Sequence, residues 1–458
     1  MRIAVLGTGY VGLVTGACFA ERGHSVICVD MDQGKVDRIN RGELPIYEPG
    51  LDDLLQRNVP GRLQATTDLA AAVRDSELSL IAVGTPFDGE SIDLSQIRDV
   101  SLQVGRALTW KSEYHTVIVK STVVPGTTDD VVRPILEEAS GKRAGSDFGL
   151  GMNPEFLREG EAVGDFMKPD RIVMGGIDER THLAQEELYA AFEDVDRVRT
   201  TNRTAEMIKY ASNSVLATMI SFSNEIANLC STLGDIDVVE VMRGVHLDRR
   251  LSPILPNGRR LKPGFTTYLE AGCGFGGSCF PKDVRALVAQ GRDAGVPMRV
   301  LEAVMNVNHS QPLEIVKLLA RHFDSLKGVK VTILGLAFKP GTDDMRESPA
   351  IPVVNTLRSL GAQLTLHDPV AVEEARKVFG ADGLSYSTDL AAAIDGSAAI
   401  VLLTRWPEYM SVPELAQQAI EKPLVVDGRR LLAQDAVERY EGIGLRRTDA
   451  RSFESVVG

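Results

Sequence analysis

The chain has 458 residues, with 50 Lys+Arg against 63 Asp+Glu and a formal net charge of −13. A composition of 44% hydrophobic and 25% charged residues excludes disordered, collagen-like and low-complexity chains and allows several domains with large cores. The acidic balance argues against nonspecific nucleic-acid binding, but not against small anionic ligands, which respond to local fields.

In the first half, short apolar runs at 3–6, 26–29, 78–83 and 117–119 alternate with amphipathic stretches such as 11–22 and 33–40. Continuous runs of this kind suit parallel strands buried on both faces, and the alternation predicts a doubly wound α/β sheet. From Thr204, a plausible N-cap, to Gly234 there is neither Gly nor Pro, and apolar residues recur at helical spacing. The segment predicts one helix of about thirty residues, roughly 45 Å long, suited to bridging domains or building a dimer interface. Helical pattern continues through 282–294 and 299–309. Strand candidates return at 329–335, 363–366, 399–403 and 424–426. The expected fold is therefore α/β: two Rossmann-like doubly wound domains joined by a long central helix and a helical middle domain. The boundaries fall at 1–203, 204–315 and 316–458.

The five cysteines are irregularly spaced and contain no CxxC pair, so neither a disulfide framework nor a zinc site is expected. The chain enters its first strand directly, without the pattern of a signal peptide, and has no run of about 18 apolar residues. The expectation is a reduced, soluble, cytoplasmic protein with no membrane contact.

Gly7-Thr8-Gly9-Tyr10-Val11-Gly12 matches GxGxxG. The pattern is weak alone, but here it follows a strand, opens a helix and precedes a strand ending in Asp30. Gly7 permits the turn, Gly9 lets the backbone approach a pyrophosphate, and Gly12 allows close helix–strand packing. Asp30 suits the ribose hydroxyls and repels a 2′-phosphate, so NAD is expected over NADP. Lys35 reads equally as a ribose or phosphate contact and as a solvated lysine. Thr85 and Thr122 lie in loops at later strand ends, where an open α/β sheet binds ligand. Gly272-Cys273-Gly274-Phe275-Gly276-Gly277-Ser278-Cys279 leaves little side chain to pack, so its backbone is expected to approach something closely. Cys279 precedes a helix, whose N-terminus favours thiolate, and Asp283 lies one turn further on.

These motifs resemble the UDP-glucose/GDP-mannose dehydrogenase family essentially from end to end. The resemblance runs through GTGYVG, VGTP, STVVPGT, NPEFLREG, AEMIKYASN, GFGGSCFPKD, GLAFKPGTDDMRESP and VVDGRR. It implies a four-electron oxidation of a sugar-nucleotide alcohol to a carboxylate, with two NAD reduced and a thiohemiacetal and thioester on Cys279. It assigns Lys209 and Asn213, which are four apart on the long helix, to the oxyanion. Asp283 and Thr122 fall to the catalytic water, Glu155 to acid/base work and Glu159 to its support. Tyr10, Val11 and Arg346 join the NAD contacts. Phe156, Leu157, Arg158, Tyr268, Leu269, Gly276, Phe338, Lys339 and Arg429 are expected around the nucleotide sugar.

The 248–267 stretch, with an insertion at 252–265, is longer than expected for the family. An arginine here reaches the neighbouring subunit's substrate site in relatives, and Arg250 and Arg260 are both candidates. Cys273 departs from many relatives and reads best as a buried bystander. Cys279-Phe280-Pro281 leans towards UDP-glucose, with GDP-mannose as the alternative sugar nucleotide. A two-electron β-hydroxyacid dehydrogenase is the less favoured class, since it needs neither the thiol nor a second nucleotide domain. A homodimer or higher homo-oligomer is expected.

Overall fold

A computed structural model describes residues 1–446, so the end of the third expected domain, 447–458, lies outside the described residues. The chain forms two compact units, Met1–Ser212 with Ala289–Gly295, and Asn213–Val288 with Val296 onward.

The first unit holds an eight-stranded sheet. In chain order its strands are β1 (Arg2–Leu6), β2 (Ser25–Val29), β3 (Leu63–Thr66), β4 (Leu78–Ile81), β5 (His115–Val119), β6 (Phe148–Met152), β7 (Arg171–Gly176) and β8 (Asp196–Thr200). Their spatial order is β3-β2-β1-β4-β5-β6-β7-β8. All pairings are parallel except β6 with β7. The order reverses direction between β1 and β4, the crevice where doubly wound sheets bind dinucleotides. Period-two alternation explains the burial of both faces. Ile3 and Val5 enter the core under the Tyr10–Glu21 helix, while Ala4 and Leu6 enter the core under the Leu69–Asp75 and Ser95–Leu108 helices.

The second unit repeats the order in a six-stranded parallel sheet. Its strands are β9 (Lys330–Leu334), β10 (Gln363–His367), β11 (Leu384–Ser387), β12 (Ala399–Leu402), β13 (Leu424–Asp427) and β14 (Tyr440–Gly442), arranged β11-β10-β9-β12-β13-β14. Val331 and Ile333 face one core and Leu334 the other, again by pleat alternation. The same unit carries the helices Phe280–Asp293 (in its first part), Arg299–Ser310 and Val238–His246.

The long helix spans Asn202–Leu233 and begins two residues before the expected cap. Thr204 lies in its first turn, and the Thr201 hydroxyl accepts the Thr204 N–H at 3.3 Å, so the capping hydroxyl is that of Thr201. All eight expected strands appear within two residues of their predicted ends. β3, β6, β7 and β8 carry weaker sequence signals, because β6 contains two glycines and β8 is an exposed edge.

Candidate active site

The glycine loop leaves the carboxyl end of β1 at the reversal point. Gly7 has φ +103°, and a Cβ there would meet the Ala82 carbonyl oxygen at 2.7 Å. A Cβ on Gly12 would sit 1.9 Å from the Gly7 carbonyl, whereas one on Gly9 would meet nothing within 4 Å. Gly7 and Gly12 thus serve the turn and the packing, and the space over Gly9 suits a pyrophosphate. Asp30 accepts the Thr8 N–H at 3.1 Å on one oxygen and the Asp32 N–H at 3.0 Å on the other. Burial raises its pKa, but the hydrogen bonds from Thr8 and Asp32 and the Lys35 charge outweigh that and lower it. Lys35 lies 3.9 Å from the same carboxylate. An ionised carboxylate with remaining lone pairs, beside an open glycine and a helix N-terminus, fits the adenosine half of NAD. The strand-end loops are tied together, with the Thr85 hydroxyl donating to the Thr122 carbonyl at 2.8 Å. The Tyr10 hydroxyl donates to buried Glu48, which also accepts the Gly160 and Ala162 N–H groups at 2.6 and 2.7 Å. Glu48 thereby binds the glycine-loop tyrosine to the segment after Glu159, which is itself buried.

Beyond β6, the turn Asn153–Glu155 runs under the long helix. The Lys209 ammonium lies 3.0 Å from the Glu155 carboxylate, with side chains 3% and 5% exposed. The Leu157 N–H donates to Glu155 at 2.6 Å. Burial pushes this carboxyl up, but Lys209, the Leu157 amide and Lys120 together hold it below its ordinary value. Phe156 stacks against Arg171, whose guanidinium is 3.9 Å from the ring centroid, and Lys209 lies 5.4 Å from it. Arg158 pairs with Asp165 at 2.6 Å and with Glu161 at 2.7 Å, and its backbone N–H also donates to Asp165 at 2.9 Å.

In the second unit, Cys279 stands immediately before the Phe280–Asp293 helix, and its carbonyl accepts the Asp283 N–H at 2.8 Å. It is the most exposed of the five free cysteines, the other four being buried. Ser278 Oγ lies 3.5 Å from its Sγ. Asp283 is 1% exposed. One of its oxygens accepts the Asn213 amide at 2.6 Å and the other lies 2.7 Å from the Lys282 ammonium. Lys209 and Asn213 are one turn apart on the long helix and share a face, as the sequence predicts.

The glycines of the cysteine loop do approach something closely, and it is the 338–347 segment after β9 of the same unit. A Cβ on Gly276 would meet the Glu347 carbonyl at 2.3 Å, and one on Gly277 would meet the Phe338 ring at 2.7 Å. Arg429 donates to the carbonyls of Leu403 at 2.7 Å and Gly274 at 3.2 Å. Cys273 is buried against Gly428, donating to its carbonyl at 3.1 Å, and burial pushes its thiol up to about 11. Lys339 Nζ is 5.9 Å from the Phe338 ring. Leu269 is buried, and the Tyr268 and Phe280 rings are 6.2 Å apart. Arg346 is paired with Asp344 at 2.8 Å. In the long loop, Arg250 is paired with Asp248 at 2.5 Å, whereas Arg260 folds back onto the Leu247 and Ser252 carbonyls at 2.7 and 2.9 Å.

Asp368, at the end of β10, occupies the place that Asp30 has after β2. Its oxygens accept the N–H groups of Leu336, Ala337, Val370 and Ala371. That carboxylate is occupied by the loops after β9 and β10, unlike the partly open Asp30. Glu48, Lys120 and Asp368 are absent from the sequence-predicted set. Each reads as an ordinary loop or strand-end polar residue, and only its burial reveals it. Among the described residues no His/Cys/Asp/Glu group could hold a metal ion, and no helix is long and apolar enough to cross a membrane.

Two sheets of Rossmann order, one with a dinucleotide loop, and a thiol at a helix start define an NAD-binding oxidoreductase. Family models match in succession: the NAD binding domain of the UDP-glucose/GDP-mannose dehydrogenase family at 1–193, its central domain at 203–310, and its UDP binding domain at 332–434. The chain belongs to the UDP-glucose/GDP-mannose dehydrogenase family. It is 41% identical to UDP-glucose 6-dehydrogenase AglM of Haloferax volcanii, over 97% of this chain and 100% of that one. It is 44% identical to the GDP-mannose 6-dehydrogenase of Pseudomonas aeruginosa, over 83% of this chain and 84% of that one. The solved UDP-glucose dehydrogenase of Pyrobaculum islandicum is similar at a TM-score of 0.88 and 40% identity, covering 97% of this chain and 98% of that one.

Proposed function

We propose that the chain oxidises UDP-glucose to UDP-glucuronate in two NAD-dependent steps on one active site, with Cys279 as the covalent nucleophile. The observation that carries this reading is the thiol at the helix start, one turn before a buried aspartate hydrogen-bonded to Asn213.

Ionised Glu155, directly or through a water at Thr122, accepts the proton of the sugar C6 hydroxyl as the alcohol becomes an aldehyde. NAD supplies the hydride acceptor for this oxidation and for the second. The Cys279 thiolate, favoured by the helix N-terminus, adds to the aldehyde carbon. The oxyanion so formed takes a proton, giving a thiohemiacetal, while Lys209 and Asn213 stabilise the negative charge. A second hydride leaves this carbon and its hydroxyl proton is released, giving a thioester. Asp283 and Thr122 then orient water, which cleaves the thioester to the carboxylate and returns the Cys279 thiol.

Gly7, Gly9, Tyr10, Val11, Gly12, Asp30, Lys35, Thr85, Thr122, Glu159 and Arg346 are the residues proposed to bind NAD. Phe338, Lys339, Arg429, Gly276, Tyr268 and Leu269 hold the UDP-sugar with the 156–158 backbone. Recognition of two diphosphates by a chain of net charge −13 is local, through loop N–H groups and these few cations. The working assembly is a homo-oligomer. Val215, Phe222 and Leu229, spaced by seven on the long helix, are each about half exposed. Arg250 is the arginine that crosses to a neighbouring site, because an exposed ion pair with Asp248 is weak and easily exchanged. The domain boundaries proposed are 1–203, 204–315 and 316–458.

Initial rates of NADH formation with UDP-glucose and with GDP-mannose test the substrate. UDP-glucose is expected to react faster. A preference for GDP-mannose, the second reading favoured by the Pseudomonas relative, would overturn it.

A further inference from the structure

Lys120 belongs to no step derived above. It directly follows β5, is 2% exposed, and its backbone N–H donates to the Ile81 carbonyl at 2.8 Å. Its ammonium donates to Asn153 Oδ1 at 2.9 Å and reaches the Tyr189 hydroxyl at 3.4 Å. Tyr189 donates to the same Asn153 oxygen at 2.6 Å, and the Asn153 amide is tied to the Val173 carbonyl at 2.8 Å. The Phe166 ring centroid lies 6.0 Å from Nζ. These hydrogen bonds go to a neutral amide and a phenol, not to a carboxylate. A neutral side chain could make the Asn153 bond without burying a charge, so packing alone does not account for a lysine here.

The charges that act on Lys120 are Glu155, from the turn after β6, and Lys209, from the long helix. Tyr189, from the segment after the Glu179–Leu188 helix, is the titratable group in hydrogen-bond contact, and burial pushes its phenol up and keeps it neutral. Asn153, two residues before Glu155, fixes the ammonium relative to the carboxylate.

We infer that Lys120 is a positioning residue whose buried charge, anchored through Asn153, holds Glu155 in its ionised, proton-accepting form. The inference rests on the reading of Glu155 as the acid/base group. Lys209 alone leaves one cation against the desolvation of the carboxylate, and that same lysine is the group expected to turn towards a developing oxyanion. A second cation behind the pair keeps Glu155 charged while Lys209 is engaged. Burial pulls the Lys120 ammonium down to about 8, with Glu155 opposing and Lys209 adding to the fall, so below that pH it carries the charge the role needs.

The test uses the full chain carrying Lys120→Met, which removes the charge, and Lys120→Arg, which keeps it. Infrared difference spectra against the corresponding Glu155→Gln proteins read the pH at which Glu155 takes up its proton. The acid limb of kcat/KM is measured alongside. In Lys120→Met both are expected to move up by about one pH unit, and in Lys120→Arg both return towards the native position. A Glu155 carboxyl that titrates in Lys120→Met where it does in the native protein overturns the inference. A carboxyl that moves while the acid limb stays overturns the reading of Glu155 and the catalytic part of the inference with it. Should Lys120→Met not fold, Lys120→Gln keeps a donor for Asn153 without the charge and is expected to show the same upward movement.

Discussion

Replacing Lys209 by Met strands the Glu155 carboxylate in a site where both side chains are nearly inaccessible, at 3% and 5% exposure. Solvent screening of such a pair is small, and removing one partner of a buried pair costs about 3–5 kcal/mol. The loss depends on pH with a definite sign. In the native protein the Glu155 pKa is depressed, so its stabilisation is present above the unfolded carboxyl value of about 4.3 and fades as pH falls through the folded value. In Lys209→Met the Glu155 pKa rises from its native position, because only Lys120 and the Leu157 amide then oppose burial, and the loss relative to the native protein grows as pH rises through the carboxyl range. The variant is therefore most destabilised at neutral pH and approaches the native protein in acid. Adding Glu155→Gln is expected to recover part of the neutral-pH loss, because no charge is then buried unpaired. Urea titration at the two pH values gives the overall loss. Hydrogen exchange of β6 and the long helix reads the opening of this region by itself. A loss below about 1 kcal/mol at neutral pH, or an equal loss in acid, would refute the buried-pair argument.

Other consequences are read more simply. Gly9→Ala is expected to leave the melting temperature unchanged and raise KM for NAD, since its Cβ meets nothing within 4 Å. Gly12→Ala is expected to destabilise the fold, because its Cβ would lie 1.9 Å from the Gly7 carbonyl; thermal melts and NAD titrations separate the two. Asp30→Ala is expected to weaken NAD binding about 10–100-fold, from the loss of charged hydrogen bonds to ribose, and to narrow the preference over NADP in steady-state assays. Alkylation near neutral pH, mapped by peptide mass spectrometry, is expected to modify Cys279 first. Cys273 is spared because burial pushes its thiol up to about 11, and Cys18 and Cys28 because theirs rise to about 12.

The α/β architecture was legible because parallel strands covered on both faces appear as unbroken apolar runs, as at Ile3–Leu6 and Leu424–Val426. β6 was not, because Gly149 and Gly151 occupy positions where a Cβ would press on Thr181, the Gly175 carbonyl and Ile118 at 2.7–2.9 Å. The glycines that β6 needs for packing erase its strand signal. The residues proposed to carry the chemistry were legible as motifs: the glycine turn, the thiol before a helix, and the Lys209/Asn213 spacing. Their supports were not. Lys120, Glu48 and Asp368 are isolated charges in sequence, and only the fold buries each against its amides, phenol or carboxylate neighbours. The cap of the long helix was misplaced for a similar reason. Thr201 and Thr204 offer the same hydroxyl, and local sequence does not choose between them.

The central claim is a covalent four-electron oxidation at Cys279. Its most direct test is the number of NADH formed per UDP-glucose consumed with NAD in excess, in the native chain and in Cys279→Ser. Two NADH per sugar with UDP-glucuronate as product, and no acid from Cys279→Ser despite retained NAD and UDP-glucose binding, is the predicted result. One NADH per sugar in the native chain, or acid formed at the native rate by Cys279→Ser, would contradict it.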